Sequence, residues 1–365
     1  PYTSSYDPLS PRKPYIQAQL NTLGVESFYP IALAHQPIVL PSYRLNIANT
    51  DFVINNTTTQ RSINIDLQDI TPSNGELSID APDEWACKIS QGKLTLELPT
   101  KIACGLYQIP IKIEGSPAYC VEDIDYPHIA HTALCKLAII NVQVIEVALI
   151  EAKVAYIGAG NDRVDHWLKQ MGVSVTQLSE ADLQQPDSLN GIDTLVFGIM
   201  TLRIRQTLLE QLPQIHQWVK AGGNWLTLYH RPWDNWDPQN TAVLPLEIGQ
   251  PSLRWRVTDQ NATVSHNLPD HSLLNYPNKI DQSHWHNWQK ERGLYFAKSW
   301  HPDYQALISM HDPDEQPLTG SLLSADIDQG RHTHCTLILH HQMQKLVPGA
   351  FAIMANLIAP VKGLT

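Results

Sequence analysis

Three short apolar runs, VAYIGAG (154–160), DTLVFG (193–198) and NWLTLY (224–229), decide how the second half of this chain folds. Each is a continuous hydrophobic stretch that ends at glycine or at a polar turn, which is typical of a strand buried on both faces. Between the first two runs, apolar residues recur at helical spacing from Val164 to Met171. This alternation of strand and helix predicts an α/β domain with a parallel sheet over residues 151–365.

The remainder of this half continues the same pattern. The sequence predicts strands at LRWRVT (253–258), YQALISM (304–310), GSLLSADI (320–327) and HTHCTLIL (332–339), and a last helix at GAFAIMANLIA (349–359). No internal repeat is visible, so a single α/β domain accounts for this half of the chain.

The first 150 residues follow a different pattern. From residue 37 to residue 150, short runs such as RSINIDLQDI (61–70) and GKLTLELP (92–99) alternate apolar and polar side chains between turn residues, without a helical pattern. This spacing predicts an N-terminal β-sandwich of immunoglobulin type. Residues 1–36 are rich in proline and lack periodic apolar positions, which predicts an extended arm or linker.

Composition limits the partners of the protein. The 365 residues include 25 lysines and arginines against 36 aspartates and glutamates, a formal charge of −11, so we expect no nucleic-acid partner. No apolar run approaches the ~20 residues that cross a bilayer, so we expect no membrane span.

The sequence starts at Pro1 and not at methionine, which favours a piece of a longer protein. Cys87, Cys104 and Cys120 leave two alternatives open, one disulfide bridge or buried free thiols.

The glycine turn after the first strand does not predict a dinucleotide cofactor. GAGNDR (158–163) has Arg163 where the fingerprint requires its third glycine. We therefore predict no cofactor. Asn161, Asp162 and Arg203 are still candidates for ligand contact, because α/β domains place ligands at the carboxyl edge of the sheet.

Histidines concentrate near the C-terminus, where ten of the 16 lie between residues 266 and 341. His284 and His286 are two residues apart, as are His332 and His334. Paired imidazoles can bind zinc, but none of these spacings is a known ligand signature. The interpretation we favour is polar histidines on exposed strands, with no metal site. HDPDEQ (311–316) is predicted to be a surface loop.

Aromatic and charged residues are dense in HWHNWQKERGLYF (284–296) and again in the earlier stretch WDNW (233–236). Exposed tryptophan and tyrosine rings bind the apolar faces of sugars, while charged neighbours hold the hydroxyl groups. The segment therefore predicts a saccharide-binding surface, and its candidate residues are Trp285, Glu291, Arg292 and Tyr295. The alternative is an ion pair between Glu291 and Arg292 beneath a packed aromatic lid.

Several of these motifs together resemble a known family. VKAGGNWLTLY (219–229), ISMHDPDEQPLTGSLL (308–323) and VPGAFAIMANLIA (347–359) are similar to stretches in the C-terminal region of large PIG-L/LmbE-type de-N-acetylases. The resemblance covers about residues 120–360. It implies an inactive class I glutamine-amidotransferase-like domain, which is flavodoxin-like, preceded by an immunoglobulin-like domain. It also implies a zinc-bearing deacetylase domain upstream of both.

The turn after the third strand is informative in the light of this resemblance. In amidotransferase-like domains a strained turn at this point exposes a cysteine nucleophile. This chain has Tyr229, His230 and Arg231 there instead. We therefore assign no catalytic residue and add these three residues to the ligand-binding candidates.

The function that the resemblance implies is that of a noncatalytic accessory or binding module of a zinc-dependent N-acetyl-sugar de-N-acetylase. Such a module would position the enzyme on a saccharide or cell-envelope polymer, or mediate its assembly. One alternative is a stand-alone hydrolase in which His230 is the general base and Glu291 or a histidine-bound metal assists. Another is a purely structural spacer. The compartment stays open, with an extracytoplasmic location favoured.

Overall fold

The computed structural model describes residues 16–22, 25–31, 38–129, 131–185 and 187–361. Its chain divides into two compact units. The first comprises the residues up to Phe52 together with Arg61–Ile102 and Leu106–Val142, and the second comprises Val53–Gln60, Ala103–Gly105 and the chain from Gln143 onward.

A β-hairpin lies within the region where the sequence predicts an arm. Strand β1 (Ile16–Thr22) pairs antiparallel with β2 (Val25–Ile31), in a register that joins Ile16 to Ile31 and Thr22 to Val25. The other residues of the predicted arm lie outside the described residues.

Two β-sheets account for residues 38–145. Their strands are β3 (Arg44–Ile47), β4 (Asp51–Asn55), β5 (Ser62–Thr71), β6 (Leu77–Ile79), β7 (Ala86–Ser90), β8 (Lys93–Glu97), β9 (Gly105–Ile113), β10 (Ser116–Pro117), β11 (Tyr119–Ile124), β12 (Thr132–Leu137) and β13 (Ile139–Ile145). One sheet has the order β12-β11-β3-β5-β8-β7, and the other has the order β10-β9-β13-β4 with β6 beside β9.

Alternation along these strands decides which side chains are buried. In β5 the side chains of Ile63, Ile65 and Leu67 are buried while the residues between them are exposed or half-buried. Leu94 and Leu96 of β8 are fully buried in the same way. A period of two on a pleated strand places such residues on one face, so the sheet has one apolar face. The finer prediction of an immunoglobulin-type sandwich stays a prediction.

The second unit is built on a seven-stranded sheet. The strands from Lys153 onward are β14 (Lys153–Ile157), β15 (Ser174–Gln177), β16 (Thr194–Phe197), β17 (Asn224–Leu228), β18 (Leu246–Ile248), β19 (Ser265–His266), β20 (Ala297–Trp300), β21 (Gln305–Ala306), β22 (Ile308–Ser309), β23 (Leu322–Ile327) and β24 (Gly330–Cys335). The large sheet has the order β15-β14-β16-β17-β24-β23-β21. The first five strands in that order are parallel, and β23 and β21 are antiparallel to their neighbours. The two remaining pairs, β18 with β20 and β19 with β22, are separate antiparallel ribbons.

Helices cover both faces of this sheet. They are α1 (Val164–Gln170), α2 (Glu180–Leu183), α3 (Thr201–Ile204), α4 (Leu208–Lys220), α5 (Ser272–Asn275), α6 (Leu339–Gln344) and α7 (Pro348–Ile358). Residues of α1, α6 and α7 share one core with Val154 and Leu226, whereas residues of α4 share the other with Ala155 and Trp225. Since successive strand residues point to opposite faces, this division is the one expected of a parallel sheet covered on both sides. The mixed α/β class is confirmed.

Individual elements agree with the sequence to different degrees. The predicted last helix and the strands at 320–327 and 332–339 correspond to α7, β23 and β24. The strand predicted at 253–258 is wrong, since that segment has a 3₁₀ turn at Ser252–Arg254 and a single bridge from Val257 to Gly293. The Trp255 ring of this segment packs so closely on Gly249 that a Cβ there would overlap the ring.

The C-terminal end of α7 is closed by buried polar side chains of the sheet. Arg331 donates to the carbonyl of Ala359 at 2.7 Å and to Oδ1 of Asn224 at 3.2 Å. The Asn224 amide donates to the carbonyl of Leu357 at 3.0 Å, and the Thr194 hydroxyl donates to that of Ile358 at 2.8 Å. The last carbonyls of a helix have no partner within it, so these contacts satisfy groups that burial would otherwise leave unpaired.

Within the described part of the chain, no helix is long and apolar enough to pass through a membrane.

Candidate ligand-binding site

The turn that follows β17 positions the residues on which the candidate site is built. Met200, in a left-handed conformation at φ 53°, is the N-cap residue of α3 and donates its backbone N–H to the Tyr229 carbonyl at 3.1 Å. This bond joins the carboxyl ends of two neighbouring parallel strands, β16 and β17. The side chains that follow Leu228 are therefore held at the edge where α/β sheets place ligands.

His230 is part of the scaffold of this turn. Its ring is fully buried; Nδ1 donates to the Leu228 carbonyl at 2.8 Å, and Nε2 accepts the Leu202 backbone N–H at 3.3 Å. Burial lowers the pKa of His230 to about 4, so the imidazole is neutral near pH 7. With both nitrogens bonded to backbone, the ring has no lone pair with which to accept a proton from a substrate.

Tyr229 lies in an aromatic cluster. Its ring stacks on Tyr295, with centroids 6.1 Å apart and planes at 22°, and lies 5.7 Å from the ring of His340. Tyr295 is in turn met edge-on by Trp233 at 5.7 Å. Burial, with the nearby Tyr295 and Glu291 adding to it, raises the pKa of Tyr229 to about 12, so the phenol stays protonated.

Trp233 is the exposed member of this cluster. Its side chain is 55% exposed, which is unusual for a residue that packs against other rings. The Arg231 guanidinium lies 5.5 Å from the Trp233 ring centroid. Arg231 is itself fixed by Asp234, which is fully buried and accepts its Nη2 at 2.6 Å and its Nε at 3.0 Å. We call Tyr229, Arg231, Trp233, Tyr295 and His340 the Tyr–Trp surface.

Two further charges and one unpaired nitrogen lie at the Tyr–Trp surface. Lys290 lies 3.5 Å from the carboxylate of Glu291. Burial lowers the pKa of His340 to about 4, and the positive charge of Lys290 contributes to this shift. Nδ1 of His340 is buried and has no hydrogen-bond partner among the described residues. The surface thus combines apolar ring faces with polar groups at their edge, the combination that small-molecule sites use to fix orientation.

The structure does not bring the other predicted edge residues into this surface. Asp162 accepts three hydrogen bonds, from the Tyr156 hydroxyl and from the backbone N–H groups of Val164 and Ile199. Its carboxylate is therefore used to hold the loop after β14, and burial raises its pKa. Asn161 and Arg203 are exposed, and neither side chain makes a hydrogen bond or ion pair to any described residue.

The predicted aromatic ledge is corrected by the structure. Trp285 and Arg292 are only 2% and 3% exposed. Arg292 donates to the carbonyls of Trp285, at 2.6 Å, and Ala262, at 2.8 Å, and its guanidinium lies 5.3 Å from the Trp288 ring centroid. These residues form core beneath the loop and cannot meet a ligand directly. The alternative of a Glu291–Arg292 ion pair is also wrong, because Glu291 pairs with Lys290 and Arg292 with backbone carbonyls.

Of the predicted site residues, the structure therefore unites Tyr229, Arg231 and Tyr295, with Glu291 at their edge. The sequence interpretation omitted Trp233, Asp234 and His340. A signal for the first two was present, since the run His-Arg-Pro-Trp-Asp follows directly on the strand end. His340 gave none, because its approach to Tyr229 depends on how α6 packs.

The histidine pairs have other roles than those expected. His332 and His334 are fully buried, so their assignment to an exposed strand is wrong. Thr227 lies between them, with Oγ1 3.2 Å from Nε2 of His332 and 2.8 Å from Nδ1 of His334. Asp281 caps a 3₁₀ turn over Gln282–Trp285, and Nδ1 of His284 within that turn lies 3.0 Å from the Asp281 carboxylate.

In the described part of the chain, no group of three or more His, Cys, Asp or Glu side chains is placed to hold a metal ion. In the predicted loop 311–316, Asp312 accepts the backbone N–H groups of Thr258, at 2.8 Å, and Asp259, at 2.7 Å. This carboxylate therefore ties the loop to a neighbouring segment.

No known protein family matches this sequence, and no characterised protein is similar to it at a significant level. Solved structures do show similarity over slightly more than half of the chain. A cytoplasmic protein of Salmonella typhimurium is 16% identical, with 57% of this chain and 99% of that chain covered and a TM-score of 0.39. A candidate GMP synthase component from Thermoplasma acidophilum is 10% identical, with 57% and 94% covered and a TM-score of 0.35. A ThuA-like protein of Bacteroides uniformis is 10% identical, with 55% and 90% covered and a TM-score of 0.34. These TM-scores are low, and the fold of the second unit is defined by its own strand order.

Proposed function

We propose that this chain is a noncatalytic binding module that recognises saccharide through the Tyr–Trp surface. In this proposal the second unit is a glutamine-amidotransferase-like or ThuA-like domain without a nucleophile, and the residues before it form an immunoglobulin-like sandwich. The partner is a zinc-dependent N-acetyl-sugar de-N-acetylase, which the module positions on a saccharide or cell-envelope polymer. The observation that carries the proposal is the turn after β17, where the exposed indole of Trp233 follows, three residues along the chain, the buried and fully bonded imidazole of His230.

The chemistry of this turn supports recognition over hydrolysis. A nucleophile needs either an ionised form near neutral pH or a base within hydrogen-bond reach. The pKa of Tyr229 is raised to about 12, and that of His230 is lowered to about 4, so neither changes charge near neutral pH. His230 cannot act as the base for Tyr229 because its ring nitrogens are bonded to the backbone of Leu228 and Leu202.

The shape and polarity of the surface support a sugar as the ligand. A pyranose ring has an apolar face of C–H bonds and a rim of hydroxyl groups, and exposed indole and phenol rings match that face. Trp233 supplies the exposed face, and Tyr295 supports it from the side. Arg231 is held against Trp233 by the buried Asp234, so its remaining N–H groups are oriented before a ligand arrives.

Titration of the purified chain with amino-sugar oligomers tests the binding proposal. We use N-acetylglucosamine trimer, glucosamine trimer and cellotriose, and follow heat or tryptophan fluorescence. Saturable binding that includes a site whose affinity Trp233→Ala weakens by about tenfold supports the proposal, because a stacked ring is worth roughly 1–2 kcal/mol. Leu253→Ala is the matched control, since Leu253 is an apolar side chain that is 67% exposed. Flat curves for all three sugars would exclude saccharide recognition.

Hydrolysis assays separate the proposal from the stand-alone hydrolase. We expect no esterase, amidase or deacetylase turnover by this chain alone, and no change on Glu291→Gln. Turnover that Glu291→Gln removes while folding is retained would favour the hydrolase instead. The link to a de-N-acetylase is tested by the genomic sequence upstream of Pro1, where the proposal expects a His-Pro-Asp-Asp-Glu motif.

A further inference from the structure

A second concave site lies apart from the residues of the Tyr–Trp surface. It is a cavity of about 420 Å³, within the size range of small-molecule pockets. Pro238, Pro245 and Trp300, at the end of β20, are among the apolar residues that line it. Glu247, Ser299 and His301 provide its polar lining.

The walls of this cavity are fixed by backbone hydrogen bonds. His301 donates its N–H to the Pro245 carbonyl at 2.8 Å, and Leu246 donates to the Pro238 carbonyl at 2.9 Å. The indole of Trp236 donates to the Leu246 carbonyl at 2.9 Å. A site held in this way needs little ordering when a ligand binds, which favours measurable affinity from a small contact area.

The charge of Glu247 in this lining is balanced by that of Lys298. The carboxylate of Glu247 lies 2.7 Å from the Lys298 ammonium and accepts the Ser299 hydroxyl at 3.0 Å. A charged ligand would have to break this ion pair or remain unbalanced. A neutral ligand with hydroxyl groups can add hydrogen bonds to the free lone pairs of Glu247 and to His301 without disturbing it.

We propose that this cavity binds a neutral saccharide unit, with one face of the sugar on Trp300 and the two prolines and its hydroxyls on Glu247 and His301. The inference shares its ligand class with the proposed function but none of its residues. It gives the second unit two points of attachment, the combination that raises the avidity of weak sites for a polymer.

The test fills the cavity from its exposed rim. Ser299→Tyr adds a ring at an exposed strand position, and Ser265→Tyr makes the same exchange at an exposed strand position outside the cavity. N-acetylglucosamine trimer is titrated by calorimetry into the unaltered chain, Trp233→Ala, Ser299→Tyr, Ser265→Tyr and the Trp233→Ala/Ser299→Tyr double variant.

We expect two sites in the unaltered chain and in Ser265→Tyr, one site in each single variant at residues 233 and 299, and none in the double variant. The binding that remains in Trp233→Ala should disappear when Ser299→Tyr is added, and its affinity should be the same at low and high salt. Binding that Ser299→Tyr leaves intact overturns the inference and spares the proposed function. Binding lost only with Ser299→Tyr supports the inference and removes the Tyr–Trp surface, and no binding at all overturns both.

Discussion

The imidazole of His334 is completely buried, with Nδ1 2.8 Å from Oγ1 of Thr227 on the neighbouring strand. Its other nitrogen, Nε2, has no partner among the described residues. Burial lowers the pKa of His334 to about 3, and that of the nearby His230 to about 4. His332, on the other side of Thr227, is lowered in the same direction for the same reason. Three neutral histidines therefore occupy the middle of one core.

This arrangement predicts a loss of stability in mild acid. The pKa of each histidine is lower in the folded chain than in the unfolded chain, where it is near 6.5, so the unfolded state binds more protons at intermediate pH. The full contribution is present above about pH 6.5 and is lost as the pH falls towards 4 for His230 and 3 for His334. Each group changes the free energy of unfolding by up to about 1.4 kcal/mol per pH unit within its window.

Urea unfolding at a series of pH values between about 7.5 and 4.5 measures this slope. His334→Gln removes one titrating group and should flatten the pH dependence, even though it lowers stability at neutral pH. His286→Gln, at an exposed histidine, is the control and should leave the slope unchanged. An identical slope in His334→Gln and the unaltered chain would show that His334 is not the group that titrates.

Arg331 should be essential for the stability of α7. It is 2% exposed and donates to Ala359 and Asn224, so Arg331→Met removes donors from the end of the helix. We expect the free energy of unfolding to fall by about 2–4 kcal/mol, because carbonyl groups are left buried and unpaired. Arg254→Met, at an exposed arginine, should change it by less than about 0.5 kcal/mol. A neutral effect of Arg331→Met would mean that water replaces the guanidinium.

Asp162 should contribute to the free energy of unfolding as a buried hydrogen-bond acceptor at the edge of the sheet. Asp162→Asn places an amide N–H₂ where a backbone N–H now points at the carboxylate, from Val164 or from Ile199. A donor facing a donor costs about 1–3 kcal/mol when buried, so we expect that loss in urea unfolding. Asp270→Asn, at an exposed aspartate, is the control. Equal stability of the two variants would contradict the role of Asp162 as a buried acceptor.

The cysteines predict a graded reaction with a thiol reagent. All five are free, with Cys87 and Cys104 exposed and Cys335 buried, and burial raises the pKa of Cys335 to about 12. Since the thiolate is the reactive form, the two exposed thiols should react first and Cys335 only after denaturation. Ellman titration of Cys335→Ser in denaturant should show one thiol fewer, with the native reaction unchanged. A native count that never reaches two would point to a disulfide that involves Cys87 or Cys104.

The sequence by itself determined the class of the fold and the chemical character of one turn. Continuous apolar runs at β14, β16 and β17 can only be satisfied by a sheet covered on both faces, and the helical spacing of α1 provides part of that cover. The absence of a cysteine after Leu228 is likewise a property of the sequence alone.

Burial of the polar and aromatic residues was decided only by the tertiary structure. His332 meets Thr227 across 105 residues of chain, and Arg292 meets Ala262 across 30, so local patterns carry no record of either contact. Trp285 and Trp233 are the same residue type in similarly polar stretches, yet one lies in the core and the other is 55% exposed. The physical reason is that a side chain is buried where distant segments supply its packing and its hydrogen-bond partners, and spacing along the chain does not specify those segments.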